Sequence, residues 1–243
     1  MGRFRLFLSN FQQAPSADIQ RKGLGRWFEI LEVHPMKLFW ANLLTLAFLL
    51  PCIAAAFFML ELWDWLSIGA VWLFYTLAGP AVTALHFICI QAARGKPIWL
   101  KEDYFSCFKR EWKRAMALSA LIGALWLILL LELRMAITAG NGLGLLPLIG
   151  CGFLLSGFSV FSYQQLAMIE LPFGNVIKNG VLLIFAGKGR SFAAVLYASV
   201  CIGLCVYFYG MALFALLLGF YAFSIMTVNF IFLPVFNELF PSE

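Results

Sequence analysis

Residues Gly79 to Arg114 read GPAVTALHFICIQAARGKPIWLKEDYFSCFKREWKR, and this stretch decides the fold. It begins inside a long apolar run, breaks at Arg94-Gly95-Lys96-Pro97, and resumes as an aromatic and basic segment that feeds the next apolar run. In the resumed segment Phe105, Phe108 and Trp112 fall at helical spacing, with Tyr104 beside them. Lys109, Arg110, Lys113 and Arg114 occupy much of the remaining circumference. Aromatic residues on one face and cations toward lipid phosphate are the pattern of a helix lying in a membrane interface. Asp103 is placed to cap its N-terminus. Apolar spans on both sides argue against nucleic-acid binding, which the basic charge alone would permit.

The rest of the chain agrees. Of 243 residues, 63% are hydrophobic and 12% charged, and the mean hydropathy is +0.91. Soluble chains carry about 25% charged residues. Several runs reach the ~20 residues a helix needs to cross a bilayer, and none alternates as the strands of a membrane barrel do. The expected fold is an all-α polytopic membrane protein with six transmembrane helices and short cytoplasmic interfacial helices.

Residues 1–23 carry Arg3, Arg5, Arg21 and Lys22 without a continuous apolar core, and read as a basic arm rather than a secretory signal. From Leu24 to Val33, the residues Leu24, Trp27, Phe28 and Leu31 form one face of a short interfacial helix. Within a single membrane domain of residues 24–236, spans are expected near 38–60, 66–92, 115–131, 145–169, 192–208 and 211–236, with a tail at 237–243. Acidic Glu61 to Trp65, Gly-rich 139–144 and Tyr209-Gly210 are the outer turns. Residues 175–186 are apolar but too short to span. Gly79-Pro80 falls midway along the second span, where a proline removes a backbone hydrogen bond and predicts a kink.

Lys and Arg fix the expected orientation. Six lie before or at the start of the first span, seven between the second and third, and three between the fourth and fifth. Of 17, only Arg134 falls on the other side. By the positive-inside rule both termini are cytoplasmic. The interfacial segments begin near Leu24, Asp103 and Asn175 and the following spans near 38, 115 and 192. This regularity predicts three parallel hairpin repeats.

Chemistry is sparse. No phosphate-binding glycine loop, H-E-x-x-H, G-x-S-x-G or paired intramembrane carboxylate occurs. The six cysteines form no C-x-x-C, although Cys201 and Cys205 share a helix face. His86 is the ionisable residue nearest the middle of a span, and reads either as a packing histidine or as a solute ligand. Asn42, Thr76, Thr83, Asn229 and Asn237 read as polar residues that join helices. The candidate functional or interaction positions are Gly79, Pro80, Thr83 and His86 around the bend, and Asp103, Phe105, Phe108 and Trp112 on the basic element. No catalytic, cofactor-binding or metal-ligating residue is assigned, and the chain is not read as an enzyme.

Gly79-Pro-Ala-Val-Thr83-Ala-Leu, then Arg94-Gly95, then Asp103-Tyr-Phe105-Ser-Cys-Phe108-Lys109 resembles the signature of the YesL-like family of bacterial multi-pass membrane proteins. Asn42-Leu-Leu, Pro51 and Lys178-Asn179-Gly180 extend the likeness, Gly180 departing from the family's usual Ala. The family is a domain of unknown function, tends to be encoded beside carbohydrate ABC transporters, and carries no known catalytic residue. The resemblance implies a bacterial cell-membrane protein whose partners are the lipid bilayer and carbohydrate ABC transporter components. The expected function is that of an accessory or interaction subunit linked to carbohydrate uptake. The alternative is a transporter or channel for a small neutral solute such as a sugar.

Overall fold

The computed structural model describes residues 24–208 and 215–239; the basic arm and the Tyr209-Gly210 turn lie outside them. The described residues are all-helical, without strands. The main helices are α1 (Leu24–Val33), α2 (Pro35–Leu62), α3 (Trp65–Arg94), α4 (Leu100–Thr138), α5 (Gly142–Met168), α6 (Phe173–Ala186), α7 (Lys188–Tyr207) and α8 (Phe220–Leu239). Four of them, α2 to α5, are long and apolar enough to cross a membrane, or five spans if the bent pair α6–α7 is one.

The turns follow local chemistry. Between α2 and α3, Trp63 adopts a left-handed conformation (φ 47°) and Asp64 caps α3 by accepting from the Ser67 amide at 2.9 Å. The Arg134 guanidinium lies 4.0 Å above the Trp63 ring, so the one basic residue expected on the outer side closes this turn. Between α4 and α5, Gly140 takes φ 64° and Asn141 accepts from the Gly144 amide. The glycine-rich loop is thereby reduced to one tight turn.

The expected separation of a cytoplasmic helix from a third span at 115–131 is corrected. Both belong to α4, one helix of 39 residues that also runs past Glu132 and Arg134. No glycine or proline occurs between Leu100 and Ile122 to break it. At 1.5 Å per residue it is about 58 Å long, nearly twice the ~30 Å hydrocarbon core. Asp103 is likewise not the N-cap. Trp99 holds that position, and Asp103 reaches back to accept from the Trp99 amide at 2.7 Å. The face expected on α1 is also shifted. Phe28 is 56% exposed, while Ile30 is fully buried and packs with Trp27 and Leu31 among residues of α3 and of the first half of α8. Trp27 anchors this helix by donating to Thr227 at 3.1 Å.

The three segments expected to begin hairpin repeats enter their spans differently. At His34 the chain passes from α1 to a separate α2, α4 is unbroken, and α6 meets α7 at a bend of 107°. The three junctions differ in form, and the threefold repeat is not confirmed by them.

The interior is organised around α3. It contributes Val82 to the core shared with α4, α5, α7 and α8, and Ala81, Leu85, Ile88 and Cys89 to the core shared with α2, the foot of α4 and α8. Helix α3 runs without interruption through Pro80. At Gly79 it touches α4 so closely that an added Cβ would overlap the Ser119 hydroxyl and stand 2.6 Å from the Ala115 carbonyl oxygen. On the same seam, a Cβ at Gly123 would meet the Tyr75 ring at 2.9 Å. Small residues that let backbones approach are the usual means of joining helices where lipid removes the hydrophobic drive.

Candidate functional site

The eight candidate positions fall into two places rather than one. Gly79, Pro80, Thr83 and His86 are buried in α3, whereas Asp103, Phe105, Phe108 and Trp112 stand on the foot of α4.

The foot of α4 has two faces. Tyr104, Cys107, Glu111 and Ala115 recur at helical spacing and are buried. The Tyr104 hydroxyl lies 2.9 Å from the Thr45 hydroxyl and donates to the Ala81 carbonyl at 3.3 Å, locking α4 to α2 and α3. Glu111 is a buried carboxylate held by Arg110 at 2.9 Å and approached by Arg114 at 3.6 Å. Arg110 also donates to the Ala167 carbonyl at 3.3 Å, tying α4 to the end of α5. Its guanidinium stands 5.9 Å from the Phe87 ring. A charge this buried needs such partners, because its desolvation is otherwise uncompensated.

The other face is open. Phe105 is 37% and Trp112 47% exposed, with Lys101, Lys109 and Lys113 exposed around them. The Lys113 ammonium lies 5.5 Å from the Trp112 ring. Phe108 turns partly inward and packs on Phe48 of α2, their ring centroids 5.2 Å apart. Thus Phe105 and Trp112 present an aromatic and cationic surface, while Phe108 belongs to the joint between α2 and α4.

The Gly95–Trp99 connection, the end of α3 and the feet of α1 and α2 are pinned by one buried cation, Lys37, and one half-buried cation, Arg26. Lys37 donates to the Ile98 carbonyl at 3.0 Å, and Arg26 donates to the Ala93 carbonyl at 3.0 Å. Beside Lys37, buried His34 links α1 to α2. Burial first, and the Lys37 charge second, hold its imidazole well below the usual histidine range, at about 4.

The second place lies deeper. His86 is 2% exposed and stacks on Tyr163 with ring centroids 5.8 Å apart. Tyr163 shares a 2.6 Å hydrogen bond with Ser119 and donates to Tyr75 at 3.4 Å, so hydroxyls from α3, α4 and α5 form one chain. Thr83 and Thr76 donate to carbonyls one turn back on their own helix, Gly79 and Trp72. Helix joining falls instead to Asn42, which donates to the Leu216 carbonyl at 2.7 Å and accepts from the Ala222 amide at 3.0 Å. His86, Tyr75, Tyr163 and residues of α4, α7 and α8 line a cavity of about 320 Å3; Cys201 and Cys205 share it, as their spacing on one helix face implies.

Sequence reasoning missed Glu111, Tyr104 and Tyr163 as structural centres. For Glu111 a signal existed, since Arg110 and Arg114 flank it and Tyr104, Cys107 and Ala115 share its face. For Tyr163 and Ser119 none did, since their partners lie 44 to 88 residues away.

No protein-family model, no curated protein and no solved structure matches the chain. The likeness carried by the Gly79–Lys109 motifs rests on those residues alone.

Proposed function

We propose that the chain is an accessory or interaction subunit of a bacterial cell membrane that docks a partner through the foot of α4. The carrying observation is that α4 exceeds the hydrocarbon thickness by nearly half its length while its foot is braced rather than free. Tyr104, Glu111 and Arg110 fix the inner face, which holds exposed Phe105 and Trp112 in a set geometry. Aromatic anchors on a rigid element, ringed by cations, are the composition of a docking surface.

In the topology of this proposal there are six crossings with both termini cytoplasmic. Helix α7, 20 residues and about 30 Å long, would supply the fifth; the sixth, expected at 211–236, rests on the apolar run in the sequence. The distribution of Lys and Arg supports the orientation. The threefold repeat is not carried into the proposal, because its junctions differ. The link to carbohydrate uptake is drawn from the YesL-like resemblance alone.

Purification in mild detergent, with identification of co-purifying chains, tests the reading. A carbohydrate transporter subunit should be retained by the parent protein and lost from the double variant Phe105→Ala/Trp112→Ala. Absence of any transporter chain, together with solute flux by the protein alone in liposomes, would overturn it. Cysteines placed at Trp65 and Asn141 should label from outside the cell; labelling of the Asn141 position only from inside would overturn the topology.

A further inference from the structure

We propose that the cavity containing His86 is a binding site for an uncharged lipophilic alcohol, its hydroxyl on the His86 imidazole and its chain along Val82, Ile225 and Val228. This inference rests on the cavity and not on the docking surface of α4.

At about 320 Å3 the space is of the size that holds small ligands. No Asp, Glu, Lys or Arg lines it, so a charged occupant would lose its hydration without a counter-ion. Its polar side chains are mostly committed to the protein. Ser156 donates to the Phe153 carbonyl and Ser159 to the Leu155 carbonyl, while Tyr163 bonds Ser119 and Tyr75. A polyhydroxylated solute would therefore give up water at several hydroxyls and regain few bonds, which argues against a sugar here. Two groups differ: the His86 imidazole, 98% buried, has no hydrogen-bond partner at Nδ1, and the buried Ser224 hydroxyl, which also lines the cavity, has none. A neutral imidazole carries one donor and one acceptor, and a hydroxyl complements either. The exposed Ile202 on the rim gives a lipid-dissolved molecule a route in.

Trp126 lines the same cavity and reports on it. The test uses the full chain in phosphatidylcholine nanodiscs, with the Trp126 fluorescence isolated as the difference between the parent and Trp126→Phe. Two quenchers are compared, a terminally brominated undecanol and undecyl bromide, which lacks the hydroxyl. The alcohol should quench saturably and bind at least tenfold more tightly than the bromide. His86→Phe should weaken the alcohol about tenfold and leave the bromide unchanged. Ala198→Phe, which fills the cavity but keeps the imidazole, should abolish saturable quenching by both. Quenching linear in concentration for both probes, equal affinity of the two, or an unaltered alcohol affinity in folded His86→Phe would each overturn the proposal. The comparison of quenchers on the unmutated protein decides the matter even if His86→Phe does not fold.

Discussion

Helices α3 and α5 are both apolar enough to span a membrane, yet they occupy opposite situations. Of the most apolar 18-residue window in α3, 67% is buried inside the protein, against 17% in α5. In α5 the first half, with Leu143, Leu146 and Ile149, is largely exposed, whereas the second half from Ser156 to Ala167 is packed. The difference teaches that apolarity locates helices in a bilayer without ranking them. Lipid and protein interior are equally apolar, so a leucine is at home in either. Rank is set by small residues: Ala78, Gly79, Ala81, Ala84, Ala92 and Ala93 let other helices approach α3 from several sides.

The sharpest way to break this comparison is to place the same side chain on each helix. Gly79→Leu should destabilise the protein by about 3 kcal/mol, because the seam with Ala115 and Ser119 has no room even for a Cβ. Gly150→Leu on α5, where nothing stands within 4 Å, should change stability by less than about 0.5 kcal/mol. Thermal unfolding in one detergent, read on both variants, compares them directly. Equal tolerance would mean that α3 is not the centre.

Much of this was legible in the sequence. The apolar runs marked four of the spanning helices to within a few residues at most ends, and Asp64 and the 139–144 glycines marked their turns. What was not legible is specific. The charge cluster from Lys109 to Arg114 suggested a boundary, but the absence of glycine and proline from Leu100 to Ile122 lets α4 run through it. Gly79 next to Pro80 suggested a kink, whereas its main consequence is the contact with Ser119, forty residues away. A close approach between helices leaves no local trace, because the partner is chosen by the fold.

A second prediction sharpens the comparison at its edge, where α8 joins the centre. The Ala222 amide lies in the first turn of α8, among the donors a helix cannot satisfy itself. Asn42 of α2 caps it from outside and also binds the Leu216 carbonyl. Asn42→Leu should cost about 2 kcal/mol, since a buried amide and a half-buried carbonyl lose their partner at once. Thr76→Val, whose hydroxyl serves only its own helix, should cost well under half as much. If the two variants unfold at the same temperature, Asn42 does not hold α8 to the bundle.

The smallest expected effect concerns the foot of the bundle, where a titratable group stands between α1 and α2. His34 is held at about 4 by burial and by Lys37, against 6.5 in the unfolded chain. Between these values the unfolded chain binds a proton that the folded one does not. Stability from this group is therefore complete above pH 6.5, falls as pH drops toward 4, and changes no further below. The contribution is one proton's worth at most. His34→Gln keeps a polar side chain of similar length and removes the proton. Its unfolding temperature should fall less than that of the parent between pH 7 and pH 4.5, and the two curves should run parallel above pH 7. Parallel curves throughout would show that α1 lets water reach His34, and that the foot of the bundle is looser than its centre.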